Sequence, residues 1–224
     1  RPGLVPSRYS DDLAGIGRQA IEQLAVRNRA RERALTISRE VIRSSANAIR
    51  AVHRGEFGEA RKIIEQARLR LVETEPMRLE NPEIYFAGFL SDARKEFSEA
   101  NVTLAMISGE ALPRPQDLGV DPAAFLNGMA EVIGELRRYI LDSLRRDSFE
   151  RCQEHMEFMD EINSILVTVD FPEGVTGGLR GRTDQMRGVL ERTRGDLTMA
   201  LRQHKLEVRL AEWEGQGTGD DQCQ

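Results

Sequence analysis

Residues 37–54 read ISREVIRSSANAIRAVHR. At 100° per residue Arg39, Arg43, Arg50 and Arg54 fall within about 60° of arc, while Ile37, Val41, Ala48, Ile49 and Val52 lie on the other side. A strand cannot separate these residues in that way, so the stretch predicts an amphipathic helix. Upstream to Asp11 there is no proline, and glycine occurs only at 15 and 17. The helix is therefore expected to run from Asp11 to Arg54, roughly 65 Å at 1.5 Å per residue. A helix of that length runs along a bundle or across a subunit interface, where partners cover its apolar stripe.

The breakers divide the rest of the chain in the same style. Pro76, Pro82, Pro113, Pro115, Pro122 and Pro172 all fall between periodic segments, with Pro2 and Pro6 at the N-terminus. A second helix is expected over 56–74, and a third from the Asn81-Pro82 start signal to Ser108. A fourth runs from Asp121-Pro122 to Arg146, a fifth is capped by Asp147 or Ser148 and ends at Leu166, and a sixth spans 181–214. No alternating β-branched run and no internal repeat is present. The fold class is all-α: a single antiparallel bundle of six or seven long helices over 11–214, with residues 1–10 a leader and 215–224 a disordered tail.

Composition narrows the function classes. The 224 residues carry 32 basic and 37 acidic side chains, a formal charge of −5, so the chain as a whole is not a general nucleic-acid coater. Lysine occurs only at 62, 95 and 205; every other basic residue is arginine, the side chain suited to phosphate contacts. Two cysteines, Cys152 and Cys223, make no disulfide framework and imply a reducing, cytoplasmic compartment. No apolar window is long enough for a membrane span, so no membrane partner is expected.

His53, His155 and His204 form no zinc or di-iron pattern, and no nucleotide-binding glycine loop or nucleophile elbow occurs. Carboxylates remain. Glu96 and Glu99 fall on the stripe Tyr85, Phe89, Asp92, Glu96, Glu99, Thr103, Met106, and Glu99 is the only charged residue from Phe97 to Gly109. A buried acid pair is costly unless it is protonated, paired with arginine or bound to a cation. Glu131 and Glu135 lie four apart on the fourth helix, with the small residues Ala124 and Gly128 above them. Two facing pairs would make an oxygen-rich pocket for Mg²⁺ or Mn²⁺. The alternative is that these acids pair with Arg94, Arg137 or Arg138. The arginine stripe Arg39, Arg43, Arg50, Arg54 likewise reads either as a phosphate-contacting surface or as a solvated, salt-bridged face.

Three strings resemble the translin superfamily: SREVIRSSANAIRAVHRGEFGEA at 38–60, DPAAFLNGMAEVIGELRRYILDSL at 121–144 and LRGRTDQMRGVLERTRGDL at 179–197. Their order and gaps match from about residue 12 to 206. The resemblance implies a six- or seven-helix bundle that assembles into a closed oligomer, an octamer in the family, and binds single-stranded RNA or DNA. Translin itself is the binding scaffold; translin-associated factor X carries a metal-dependent endoribonuclease site. Glu96-Phe97-Ser98-Glu99 matches that site's first part, and Glu131 stands where the family usually has aspartate, one methylene shorter.

The resemblance thus implies catalytic Glu96, Glu99 and Glu131 holding Mg²⁺ or Mn²⁺; Glu135, a metal ligand on the reading of two facing pairs, belongs to a string shared by both branches of the family. The resemblance also implies nucleic-acid binding by Arg39, Arg43, Arg50 and Arg54. Single-copy archaeal members resemble the factor X branch, which points to a homo-oligomer. The competing expectations are a non-catalytic single-strand scaffold of the translin type and a helical nucleoside-triphosphate pyrophosphatase.

Overall fold

The computed structural model describes residues 9–217, with side chains through Glu214. The expected leader over 1–10 and tail over 215–224 lie largely outside these residues. Ten helices occur in chain order: α1 Ser10–His53, α2 Phe57–Val72, α3 Met77–Glu80, α4 Pro82–Tyr85, α5 Gly88–Ser108, α6 Pro115–Leu118, α7 Pro122–Leu144, α8 Cys152–Leu166, α9 Glu173–Thr176 and α10 Leu179–Gly217. Six are long, as the periodicity predicts; α3, α4, α6 and α9 are single turns within the joints. No strand occurs among the described residues.

α1 turns into α2 through Arg54–Glu56, where Gly55 adopts φ 76°, a left-handed conformation natural to glycine. α1 packs on α2 and α5, α5 packs on α7, and α7 is covered by α8 and α10. The core these layers share includes Ile37, Val41 and Val52 of α1, Leu90 and Phe97 of α5, Ile133, Leu136 and Ile140 of α7, Met159 of α8 and Leu190 of α10. α7 starts as expected: the Asp121 carboxylate accepts from the Ala124 amide at 2.9 Å, with Pro122 in the first turn.

Two boundaries differ from the sequence reading. The third helix is broken at Phe86-Ala87, where Ala87 is extended at ψ 146°. Arg94 Nη1 donates to the Tyr85 carbonyl at 3.0 Å, and its guanidinium lies 4.1 Å from the Tyr85 ring centroid. That clamp supplies the donor an unbroken helix would have provided and places Tyr85 off the stripe of α5. The fifth helix begins at Cys152 rather than at 147 or 148. Asp147 adopts φ 53°, and the Ser148 amide folds back to the Ser143 carbonyl at 3.0 Å, so neither residue caps α8.

Beyond the bundle the two longest helices project. From Ser10 to Arg33 no residue of α1 is buried, and after Leu197 the same holds for α10 as far as Glu214. Leu13, Ile16, Ile21 and Leu24 on α1 are at least 61% exposed, and Trp213 on α10 is 73% exposed. Among the described residues no helix is long and apolar enough to cross a membrane.

Candidate metal centre

The α5–α7 crossing creates the site. Gly128 lies against α5 so closely that a Cβ there would stand 2.5 Å from the Lys95 carbonyl oxygen and 2.9 Å from the Glu99 amide nitrogen. Only glycine permits this approach. It brings Glu131, one turn further along α7, against the Glu96-x-x-Glu99 pair of α5. The three carboxylates offer one oxygen each within 4.8 Å of one another.

Glu99 is the innermost, 7% exposed, and among the described residues no donor reaches its carboxylate. Burial, and then the negative charges of Glu131, Glu96 and Glu135, push its pKa up to about 9 against a smaller opposing effect of Lys95. Such a group carries its proton at neutral pH and would release it only to a strong positive charge nearby.

Internal cations, absent from the sequence reading, meet the other two acids. Lys95 Nζ lies 2.8 Å from both Glu131 oxygens and 3.0 Å from Glu96 Oε1. Burial works against the ammonium, but the hydrogen bonds to Glu131 and Glu96 outweigh it and hold its pKa above the usual lysine value. Arg182 of α10 adds an ion pair, its Nε 2.8 Å from Glu131 Oε1, and its Nη1 donates to Asn127 Oδ1. Lys95 neighbours Glu96 in sequence, yet its main partner lies 36 positions on; no local spacing encodes that pair.

Glu135 is not brought into the oxygen cluster. Its carboxylate is engaged by His53 Nε2 at the end of α1 and lies 3.7 Å from Arg138 Nη1. Of the arginines considered as partners for these acids, Arg138 thus reaches Glu135, Arg137 pairs with Asp196 at 2.9 Å, and Arg94 turns to Tyr85. Along α1, Arg39, Arg43 and Arg50 are exposed, as is Arg54 just past its end. Arg39 and Arg43 have no ion-pair partner among the described residues. Arg50 donates to the Asn47 amide at 2.7 Å, and Arg54 pairs with Glu56 at 2.6 Å. The stripe is therefore a set of solvent-facing cations of which one is compensated by an acid.

No family model matches the chain. An uncharacterised protein of Methanocaldococcus jannaschii is 30% identical over 194 residues, 85% of each chain. Among solved structures, AfC3PO, a translin/Trax-type protein of Archaeoglobus, in complex with duplex RNA is 37% identical. It superposes with a TM-score of 0.74 over 84% of this chain and 95% of that one. A second crystal structure of AfC3PO gives 36% and 0.73 over 84% and 96% of the two chains. The Neurospora apo-NeC3PO, 16% identical with a TM-score of 0.72 over 88% and 99%, shares the fold.

Proposed function

The chain belongs to the translin superfamily, and from that premise we propose that it binds RNA and cleaves it as an Mg²⁺- or Mn²⁺-dependent endoribonuclease. The observation that carries this reading is the meeting of Glu96, Glu99 and Glu131 oxygens within 4.8 Å around a buried acid that no donor satisfies. An all-carboxylate donor set suits Mg²⁺ or Mn²⁺ rather than the softer transition metals. When bound, such an ion supplies a water of lowered pKa and positive charge for the phosphate oxygens.

The chain's own residues do the rest. Glu96, Glu99 and Glu131 would hold the ion, Glu99 as the deprotonated carboxylate, while Arg182 and Lys95 orient Glu131. Arg39 and Arg43 offer unpaired guanidinium groups to backbone phosphates, which are contacted without regard to base. AfC3PO was solved with a duplex; the substrate class proposed here is RNA, single-stranded or short duplex, with DNA as a second ligand.

The test is incubation of labelled single-stranded and duplex RNA with the protein and Mn²⁺, with and without EDTA. Internal cleavage that disappears with EDTA is expected. RNA bound but uncut under every metal condition would leave the scaffold reading, which the Lys95 and Arg182 pairs on Glu131 favour because they already satisfy that carboxylate.

The exposed apolar residues on the projecting parts of α1 and α10 support assembly into a homo-oligomer. Light scattering behind size exclusion is expected to give a particle several times the 25.3 kDa chain and well above a dimer. A monodisperse monomer at micromolar concentration would contradict it.

A further inference from the structure

Lysine is used at only three places in the chain, and Lys62 and Lys205 are exposed. The third, Lys95, is built into the carboxylate cluster, its side chain only 13% exposed. Its ammonium lies 2.8 Å from each Glu131 oxygen and 3.0 Å from Glu96 Oε1, so one centre gathers oxygens from α5 and α7. Three oxygens around one small charge is the arrangement of a cation site. A guanidinium spreads its charge over a flat fork and would not fit between the two acids in this way. An ammonium is a compact point charge with three donors.

The root of the Lys95 side chain is fixed, because Gly128 of α7 presses against its carbonyl. The tip has one other direction. Lys95 also lines a cavity of about 340 Å³, bordered one turn back on α5 by the exposed Asp92, which has no ion-pair partner among the described residues. Glu131 is not left bare if the ammonium shifts, since Arg182 Nε lies 2.8 Å from its Oε1. Together Lys95 and Arg182 offset the charges of Glu96 and Glu131. A divalent ion approaching the three carboxylates therefore meets oxygens that are already answered, and a positive charge a few ångströms away.

We infer that the Lys95 ammonium is the cluster's own counter-ion, bridging Glu96 to Glu131, and that Mg²⁺ or Mn²⁺ binds against its charge and at the expense of that bridge. Such competition presupposes the metal reading above and adds to it the residue that sets how readily the site loads. The acids are held together at low divalent concentration, and loading is restrained until the concentration rises.

The experiment uses the full chain. Mn²⁺ binding to wild type and to Lys95→Met is measured by calorimetry, and melting is followed in EDTA and in Mn²⁺. Lys95→Met keeps an unbranched apolar stem and deletes the charge. It should bind Mn²⁺ at least about tenfold more tightly, since a unit charge at this range opposes a divalent ion by that much even when screened as in water. In EDTA it should melt below wild type, and saturating Mn²⁺ should raise its melting temperature by more. A lysine that only positioned Glu131 would move the affinity the other way.

Because the variant leaves Glu96 and Glu131 less compensated, folding is a risk, and wild type supplies a second measurement. Lysine acetylation read by mass spectrometry should find Lys95 protected in EDTA and labelled faster in saturating Mn²⁺, which frees the amine from the bridge. Lys62, 76% exposed, is the internal control and should not change. Unchanged or weaker Mn²⁺ affinity in Lys95→Met, or Lys95 labelling indifferent to Mn²⁺, would overturn the competition while leaving the metal centre standing. Failure of both proteins to bind Mn²⁺ would remove the metal reading itself, and the competition with it.

Discussion

Gly128→Ala is expected to destabilise the protein by at least about 1–3 kcal/mol, the usual cost of forcing one methyl into a packed interior, and to disrupt the carboxylate cluster. The new methyl would meet the Lys95 carbonyl oxygen at 2.5 Å and the Glu99 amide nitrogen at 2.9 Å. Both are backbone atoms in the middle of α5, so no side chain can rotate away. Relief requires α7 to lift from α5, and the same movement carries Glu131 away from Glu96 and Glu99. Gly134, with nothing within 4 Å of its Cβ position, is the control. Alanine there should be neutral or slightly stabilising, since it adds helix propensity without a contact. Melting curves of both variants, each with and without Mn²⁺, test the pair. A Gly128→Ala protein that melts with wild type and still responds to Mn²⁺ would show that the crossing does not fix the site.

Glu99→Gln should reduce metal-dependent cleavage by at least about a hundredfold, more than the loss that outer-shell changes give, while RNA affinity stays within about twofold because phosphate contacts lie elsewhere. Its effect on stability runs the other way. Free glutamate titrates near about pH 4.3, whereas Glu99 in the folded chain is pushed up to about 9. Below the lower value both states are protonated and the difference contributes nothing. Between the two values the unfolded chain has released a proton that the folded chain retains, so stability falls as pH rises, by roughly 1.4 kcal/mol per unit for a full proton. Glutamine removes this slope. Without metal the variant should therefore melt above wild type at pH 8, and the gap should shrink towards pH 5. With Mn²⁺ wild type gains by mass action and the order closes or reverses. A variant that melts earlier at pH 8, beside a wild type indifferent to Mn²⁺, would mark Glu99 as a structural acid.

The sequence makes the helices legible because every proline lies at a joint or an end and the apolar period runs between them. Asp121-Pro122 was legible as the start of α7 for the reason the structure displays, a carboxylate accepting from the amide three residues on. The same reading misplaces the start of the helix after Asn81-Pro82, since a side chain nine residues from Tyr85 takes over its carbonyl. Acids on an otherwise apolar helix and small residues on the facing one are local signals that point to Glu96, Glu99, Glu131 and Glu135 as two facing pairs, and Gly128 converts the second signal into contact; the grouping of Glu96, Glu99 and Glu131 without Glu135 came from the family resemblance. Lys95, Arg182 and His53 were not legible, because each acts on an acid at least 36 positions away and only the packed bundle sets those distances. Their discovery changes the chemistry: the cluster is a set of acids already answered by the chain's own cations, with Glu99 alone left to a proton.

The projecting half of α1 has a consequence for how the protein holds together. From Ser10 to Val26 its helix is joined to a stable one, which removes the cost of nucleation, but no buried contact within its own chain repays the order of each further turn. Its cohesion is therefore of a different rank from that of the bundle: the core opens only globally, while the arm can open turn by turn along its length. Neighbouring subunits that cover Leu13, Ile16, Ile21 and Leu24 would turn this zipper-like segment into part of the cooperative unit. Folding of the arm would then be completed by encounter between chains rather than by collapse of one, and its persistence would depend on protein concentration.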